Sequence, residues 1–504
     1  MTENLYSVIQ ARLADTDKTF METPDGRICS YGELDARSAQ FAQALADLGV
    51  EPGDRVAAQI DKSGEAILLY LGCLRAGAVY LPLNTGYTAA EIAYFLGDAE
   101  PRVAICRPKV EAEFRKIASE AGVPHVETLA ADGNGSITDK AAAAGASFGV
   151  VPRGKDDLAA ILYTSGTTGR SKGAMLTHGN LTSNALALAG AWRFTSEDVL
   201  LHALPIFHTH GLFVATNVTL FAGSSMLFLP GFDLAEVLRL LPRSSVMMGV
   251  PTFYTRLLSS PEFDRELVSH IRLFVSGSAP LSPETHKDFE ARTGHAILER
   301  YGMTETGMNS SNPYEAPRRA GTVGFPLPGV EIRIAEPESG AVLPQGEVGV
   351  IEIRGPNVFK GYWRMPEKTT AEFRDDGYFI SGDLGLFDDQ GYLNIVGRDK
   401  DLIISGGYNV YPAEVEAALD ALEEVAESAV IGLPHADFGE GVTAVVVPRK
   451  AADLCEDAVR DSLVQVLAKY KIPKRVLCVD SLPRNAMGKV QKNVLRETYA
   501  DTYR

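Results

Sequence analysis

The segment T-S-G-T-T-G-R-S-K-G at 164–173 concentrates the residue types that hold a polyphosphate. Its three glycines let the main chain turn tightly and bring N–H groups up to an anion. Thr164, Ser165, Thr167 and Thr168 add hydroxyls, and Lys172 adds a positive charge. The order is not the Walker pattern, because Ser171 rather than glycine precedes Lys172. A flexible polar loop is the bland alternative. The apolar run L-A-A-I-L-Y at 158–163 just before it argues instead for a loop held at the end of a buried strand.

Three further patterns could join it. In E-R-Y-G-M-T-E-T at 299–306, Thr304 and Glu305 put a hydroxyl beside a carboxylate, oxygen ligands of the kind Mg²⁺ takes. Taken alone, the pair is more often a helix start. In Y-F-I-S-G-D at 378–383, Asp383 could accept both hydroxyls of a ribose, with Arg398 one short hairpin later to reinforce the grip. A turn aspartate is the alternative there. In P-R-N-A-M-G-K-V at 483–490, Lys489 follows a turn glycine and by itself reads as a solvated surface lysine.

The elements around these patterns alternate strand and helix. Residues 4–14 and 31–49 read as amphipathic helices, the second capped by Ser30 with Glu33 three residues on and ended by Gly49. R-V-A-A-Q-I, a helix over 64–76 ending at Gly77, A-V-Y-L-P-L and R-V-A-I-C at 102–106 predict βαβ units with parallel strands. The small-residue stretch 128–157 reads as a surface connection. After about residue 320 the short strands E-I-R-I-A, V-G-V-I-E-I-R-G, G-Y-F-I-S-G-D and G-Y-L-N-I-V-G-R predict an antiparallel or barrel-like subdomain. Past Arg398 the chain restarts with helices over 412–421 and 456–469. The expected division is therefore a large domain over 1–398, a junction at 399–401 and a small domain over 402–504.

A chain of 504 residues with 45% apolar and 22% charged residues has the balance of a globular protein of two or three domains. A net charge of -17 disfavours non-specific nucleic-acid binding and attraction to anionic membranes. Five scattered cysteines without a C-x-x-C pair argue against a disulfide framework or a zinc site, and each reads as a buried apolar thiol. The N-terminus lacks a basic region followed by an apolar run, and the longest apolar stretch is broken by Arg75 and by glycines. The expectation is a cytoplasmic protein without a membrane partner.

Together the patterns resemble the acyl-CoA synthetase branch of the adenylate-forming enzymes. L-G-C-L-R-A-G-A-V-Y-L-P-L-N, L-P-I-F-H-T-H-G and S-G-S-A-P-L extend the likeness from about Tyr31 to Lys492. The resemblance implies an α/β fold: a large N-terminal domain of parallel-sheet subdomains with a small barrel-like β subdomain, and a small mobile α+β C-terminal domain. It implies small-molecule substrates: ATP with Mg²⁺, a carboxylic acid, and coenzyme A. On the same basis Thr164, Ser165, Gly166, Thr167, Thr168, Gly169 and Lys172 bind the triphosphate. Ser278, Ala279, Pro280, Glu299, Tyr301 and Gly302 lie along the adenine. Thr304 contacts the α-phosphate, Glu305 holds Mg²⁺, and Asp383 and Arg398 hold the ribose. Lys489 reaches the α-phosphate and the acid carboxylate, and His208 stands near that carboxylate and the thiol entrance. Lys400 occupies the hinge position, with Gly406, Gly407 and Tyr408 on the coenzyme A side. In the family the lysine equivalent to Lys489 is acetylated, which implies an acetyltransferase and a deacetylase as partners.

Family membership does not set the acid. The expected pocket, from 207–211, 248–257, 276–279 and 300–308, contains Arg256 and Arg300. Arginine pairs with carboxylates bidentately, at about 1.5–3 kcal/mol per charge-assisted bond. A second carboxylate on the substrate would explain both arginines, whereas a solvated helix position would explain Arg256 alone. V-P-T-F-Y-T-R, F-H-T-H-G and E-R-Y-G-M-T-E-T are similar to the malonyl-CoA synthetase subfamily. That likeness implies a malonate distal carboxylate on Arg256 and Arg300, with Thr209 and Met308 bordering the α-carbon so that methylmalonate also fits. The alternatives are a synthetase for a short-chain or aryl monocarboxylic acid, an adenylation domain loading a carrier protein, and a non-catalytic nucleotide-binding relative.

Overall fold

A computed structural model of the chain describes residues 3–503 apart from 14, 165–170, 407, 436, 450–455, 465 and 486–487. Two sheets with parallel cores carry the first three hundred residues. In the first, the strands run His125–Thr128, Val103–Cys106, Arg55–Gln59, Val79–Pro82, Leu158–Thr164 and Lys172–Thr177 across the sheet. The first five are parallel, and the last two form an antiparallel pair. Val79–Pro82 and Val103–Cys106 are buried along their whole length, as parallel strands covered on both faces must be.

The helices obey their caps. Ser30 and Glu33 form a reciprocal capping box at the start of Tyr31–Asp47. Ser63 accepts from the Ala66 N–H to open Gly64–Ala76, and Gly77, at φ +72°, closes it. This second helix is buried continuously from Ala66 to Ala76, which accounts for its being apolar on every side. The expectation of a plain surface connection over 128–157 is corrected. It contains the helix Ser136–Ala143, whose Ile137 and Ala141, one turn apart, turn inward.

The second sheet has nine strands. Its parallel core runs Leu298–Met303, Leu273–Ser276, Val246–Gly249, Val199–His202, Ser225–Phe228 and Thr19–Glu22. The register pairs Met248 with His202, Gly249 with Ser276 and Ser276 with Glu299. The carboxyl ends of these strands therefore open on one edge, where ligands bind in open α/β sheets. Leu298–Met303 passes beyond that edge and folds back through Thr304 and Glu305 into the antiparallel strand Gly307–Ser311.

The later strands Glu331–Ala335, Gly349–Arg354, Phe379–Phe387 and Leu393–Arg398 form a four-stranded antiparallel meander. A 3₁₀ turn, Asp399–Asp401, leads into the last sheet, where Val425–His435 pairs with Gly439–Pro448 over its own apolar core. The helix expected over 456–469 is shorter, Glu456–Val464, and Lys469–Lys471 forms a separate 3₁₀ turn. Among the described residues, Cys29, Cys73 and Cys106 are buried free thiols, whereas Cys478 is exposed, contrary to expectation. No helix among them is long and apolar enough to cross a membrane.

Candidate active site

The strand edge gathers the chemistry. Thr164 ends one strand and pairs in register with Lys172, which begins the antiparallel next strand. Ser165, Gly166, Thr167, Thr168 and Gly169 lie outside the described residues. Lys172 Nζ is 2.9 Å from Glu372 and 4.1 Å from the centroid of the Tyr362 ring. The Tyr362 hydroxyl lies 2.6 Å from Glu372 and 3.0 Å from Glu305, and the Thr164 hydroxyl lies 3.4 Å from Glu305. A chain of polar groups thus links the loop lysine to the buried Glu305 carboxyl, whose pKa burial raises. Tyr362 and Glu372 were not singled out from sequence. G-Y-W-R-M-P-E carries no pattern that announces a phosphate site.

Asp383 and Arg398 are register partners in the meander, with Arg398 Nε 2.9 Å from the carboxylate. The other Asp383 oxygen accepts the Tyr301 hydroxyl at 2.6 Å. Asp383, foremost, holds the Arg398 guanidinium charged. Glu299 is buried, takes the Leu281 N–H on one oxygen and leaves the other without a hydrogen-bond partner. Burial pushes its pKa up to about 8. Ser278 sits at φ +72°, an uncommon conformation for serine, with its hydroxyl 3.2 Å from His210 Nδ1. Ala279 and Pro280 follow in the same loop, the first half-buried and the second exposed.

Arg300 is the outlier of the site. Its residue is 3% exposed, and Nε and Nη2 are both buried without a hydrogen-bond partner. Burial pulls its pKa down to about 9, which still leaves it cationic at neutral pH. A buried guanidinium lacking partners costs stability until an anion arrives. His208 lies within electrostatic reach of both Arg300 and Lys489. Burial, then those two cations, lower its pKa to about 4, so the imidazole is neutral at pH 7. His210 is more deeply buried, and its Nε2 has no partner. It stands two residues from His208 in F-H-T-H-G, yet sequence reading passed over it. Thr209 is buried with an unpartnered hydroxyl and shares a small cavity with Thr304, Gly307 and Asn357. Met308 is buried across Gly302, where a Cβ would fall 2.5 Å from the methionine Cε.

Arg256 is placed differently from Arg300. It is exposed on the helix Pro251–Leu258, with its guanidinium 5.8 Å from the centroid of Phe232. The enclosed pair of arginines expected from sequence is thus one enclosed and one at the rim. Thr252, one turn before Arg256 on that helix, faces the loop carrying Lys489: its Oγ1 is 3.7 Å from where a Gly488 Cβ would stand.

Lys489 itself is exposed to solvent within the cleft. The cleft walls, then Arg398, pull its ammonium pKa down to about 8. Lys400 is also exposed, in the turn between the two sheets it connects, with its pKa lowered by burial and by Arg398. Gly406, at φ +60°, donates to the Phe438 carbonyl, and the exposed Tyr408 stacks on Tyr470 at 4.8 Å. Gly407 lies outside the described residues. Among those described, no group of three or more His, Cys, Asp or Glu side chains forms a metal cluster. The Glu305 carboxylate, with the Thr164 hydroxyl 3.4 Å away, is the sparser donor set that would suit Mg²⁺ carried in with phosphates.

Comparison with known proteins agrees with this geometry. The model of the AMP-binding enzyme family matches residues 10–363, and that of the AMP-binding enzyme C-terminal domain matches 414–489. A malonate–CoA ligase of Arabidopsis thaliana is 36% identical over 94% of this chain and 85% of its own length. A feruloyl-CoA synthase of an Amycolatopsis species is 37% identical over 94% of both chains. The crystal structure of ATP-bound MatB from Rhodopseudomonas palustris is 60% identical over 100% of both chains, with a TM-score of 0.98. The apo form of that MatB superposes with a TM-score of 0.87.

Proposed function

The chain belongs to the AMP-binding enzyme family, and from that premise we propose that it ligates malonate, and also methylmalonate, to coenzyme A through an acyl-adenylate, with ATP as the second substrate. The carrying observation is the buried Arg300 guanidinium with two unpartnered nitrogens, beside a neutral His208. A monocarboxylic acid would leave that charge buried and unpaired. A dicarboxylic acid offers one carboxylate for reaction and another for Arg300. Arg256 at the rim closes over the distal carboxylate, and Thr209 and Met308 bound the space at the α-carbon.

In the first half-reaction, a carboxylate oxygen of the acid attacks the α-phosphorus of ATP. A P–O bond forms and the bond to pyrophosphate breaks. Lys489, as ammonium, and Thr304 stabilise the charge that develops on the α-phosphate. Lys172 and the loop over 164–172 hold the β- and γ-phosphates, while Asp383 and Arg398 hold the ribose and Glu299, Tyr301 and Gly302 flank the adenine. Glu305 would hold a Mg²⁺ ion, which would supply further neutralisation of phosphate charge.

In the second half-reaction the coenzyme A sulfur attacks the acyl carbon, a C–S bond forms, the C–O bond to AMP breaks, and the thiol proton passes to solvent water. Rotation about Lys400 withdraws Lys489 and brings in the face bearing Gly406, Gly407 and Tyr408. The likeness to ATP-bound MatB, with Lys489 near His208, supports the first orientation as the one described. Acetylation of Lys489 would remove its charge and block the first step, making an acetyltransferase and deacetylase the regulatory partners. An acetylated sample that still formed adenylate at full rate would end that part of the reading.

The test is a panel of acids with ATP, Mg²⁺ and coenzyme A, read as pyrophosphate release and thioester formation. Malonate should be a leading substrate, and methylmalonate should also be used. Preference for ferulate, benzoate or a short-chain fatty acid over malonate would overturn the dicarboxylate reading while leaving the adenylate chemistry intact.

A further inference from the structure

The segment carrying His208 is held from behind by a lysine and a histidine that no step above uses. Lys62 lies between the strand Arg55–Gln59 and the helix Gly64–Ala76, and reaches across to the end of Val199–His202 in the other sheet. Its Nζ is 3.0 Å from His202 Nδ1 and 2.8 Å from the His202 carbonyl oxygen. The amine also stands 4.2 Å from the centroid of the Phe228 ring. Two hydrogen bonds and an aromatic face leave this lysine head with little freedom.

His202 is fully buried, and its Nε2 is 2.9 Å from the Gly211 carbonyl oxygen. The partners assign the tautomer: Nδ1 accepts from the lysine, so Nε2 carries the proton and donates to Gly211. Burial presses the imidazole towards the neutral form this arrangement needs, and it presses the Lys62 amine the same way, which as a neutral amine still donates to Nδ1. The Thr216 hydroxyl donates to the same carbonyl at 2.9 Å.

Gly211 belongs to a π-helical turn, His210–Thr216, that follows His208 and Thr209 directly. Such wide turns recur at functional sites. The backbone is tight there, since a Cβ on Gly211 would fall 2.0 Å from the Pro205 carbonyl oxygen. The Leu212 N–H donates to the His208 carbonyl at 3.0 Å, tying the turn back to the histidine. Pro205 on one side and the His202 donor on the other therefore clamp the stretch that presents His208, Thr209 and His210.

We propose that Lys62 and His202 are positioning residues, a relay that sets the Gly211 carbonyl and so holds His208 in place beside Arg300 and Lys489. The inference rests on the reading of that pocket as the acyl site. The experiment is steady-state kinetics on wild type, Lys62→Met, Lys62→Gln, His202→Leu and His202→Gln, with melting temperatures for each. Lys62→Met and His202→Leu should lose tenfold or more in kcat/KM for the acid while KM for ATP stays within twofold. His202→Gln, whose amide can place a donor near the Nε2 position, should recover most of that loss, and Lys62→Gln should fall between Lys62→Met and wild type. Wild-type behaviour in Lys62→Met overturns the relay. So does equal impairment of His202→Gln and His202→Leu at matched melting temperature. If Lys62→Met does not fold, wild-type kinetics in Lys62→Gln and His202→Leu overturn it. The wild-type acid panel is run alongside: preference for another acid overturns the malonate reading, and the variants are then scored with that acid.

Discussion

The Arg300 guanidinium lies against the bare Cα of Gly277: a Cβ there would fall 2.3 Å from Arg300 Cζ and 2.5 Å from Nε. Arg300 sits three residues into the strand Leu298–Met303, and Gly277 directly follows the neighbouring strand Leu273–Ser276. Glycine here serves space, not turn geometry. Gly277→Ala must push the guanidinium aside, so use of malonate should fall by about two orders of magnitude, with a stability cost of about 1–3 kcal/mol. Kinetics on malonate with Arg300 intact is the check. A Gly277→Ala enzyme with normal malonate turnover would mean that the arginine position does not matter.

Arg300 should be worth more to catalysis than to folding. Removing a buried, unpaired charge relieves a desolvation penalty, so Arg300→Met should melt no lower than wild type, and higher if the space refills well. The same variant should lose at least about a hundredfold in kcat/KM for malonate, at about 1.5–3 kcal/mol per lost charge-assisted bond. Arg256→Ala should cost less, because that side chain starts exposed at the rim. A large fall in melting temperature for Arg300→Met would show that Arg300 is structural.

Local grammar was the legible part of this fold. Ser30 with Glu33 at one helix start, and Gly77 at another helix end, each set a boundary through hydrogen bonds within a few residues. The four chemical patterns were legible for a similar reason, since each packs its groups into one short stretch. What escaped depends on partners remote in sequence. Tyr362 and Glu372 acquire meaning from Lys172, about two hundred residues earlier, and His202 acquires it from Lys62. Arg256 and Arg300 shared a list by residue type, but helix and strand gave them different environments. Ser136–Ala143 was hidden because its small apolar side needs only Ile137 and Ala141.

Glu372 holds the loop lysine before any phosphate is present. The Lys172 and Glu372 side chains are 10% and 19% exposed, so their 2.9 Å ion pair is shielded from water. A carboxylate in that place also faces whatever anion Lys172 attracts. Glu372→Gln should therefore lower the melting temperature and lower KM for ATP by about threefold, roughly the 0.5–1 kcal/mol of one modest charge interaction. A raised KM for ATP would show that Glu372 acts chiefly by aiming Lys172.

Lys489 should impose the alkaline limb on adenylate formation. Cleft walls and Arg398 bring its pKa down to about 8, and the ammonium form is the one that can meet a developing phosphate charge. That form is complete below this value and is lost as pH rises through it. Because kcat/KM reports the free enzyme, kcat/KM for pyrophosphate release should bend downward near pH 8 and approach a tenfold fall per unit above it. Bound triphosphate stabilises the ammonium, so the corresponding break in kcat should move to higher pH. His208, with its pKa near 4, should add no break across the neutral range. Lys489→Arg keeps a charge that does not titrate there, so its slow profile should lose the break near pH 8 and bend only towards pH 9, where Arg300 loses its proton. Profiles of both enzymes from about pH 6 to about pH 10 decide the matter. If the Lys489→Arg profile bends at the same pH as wild type, the limb belongs to another group.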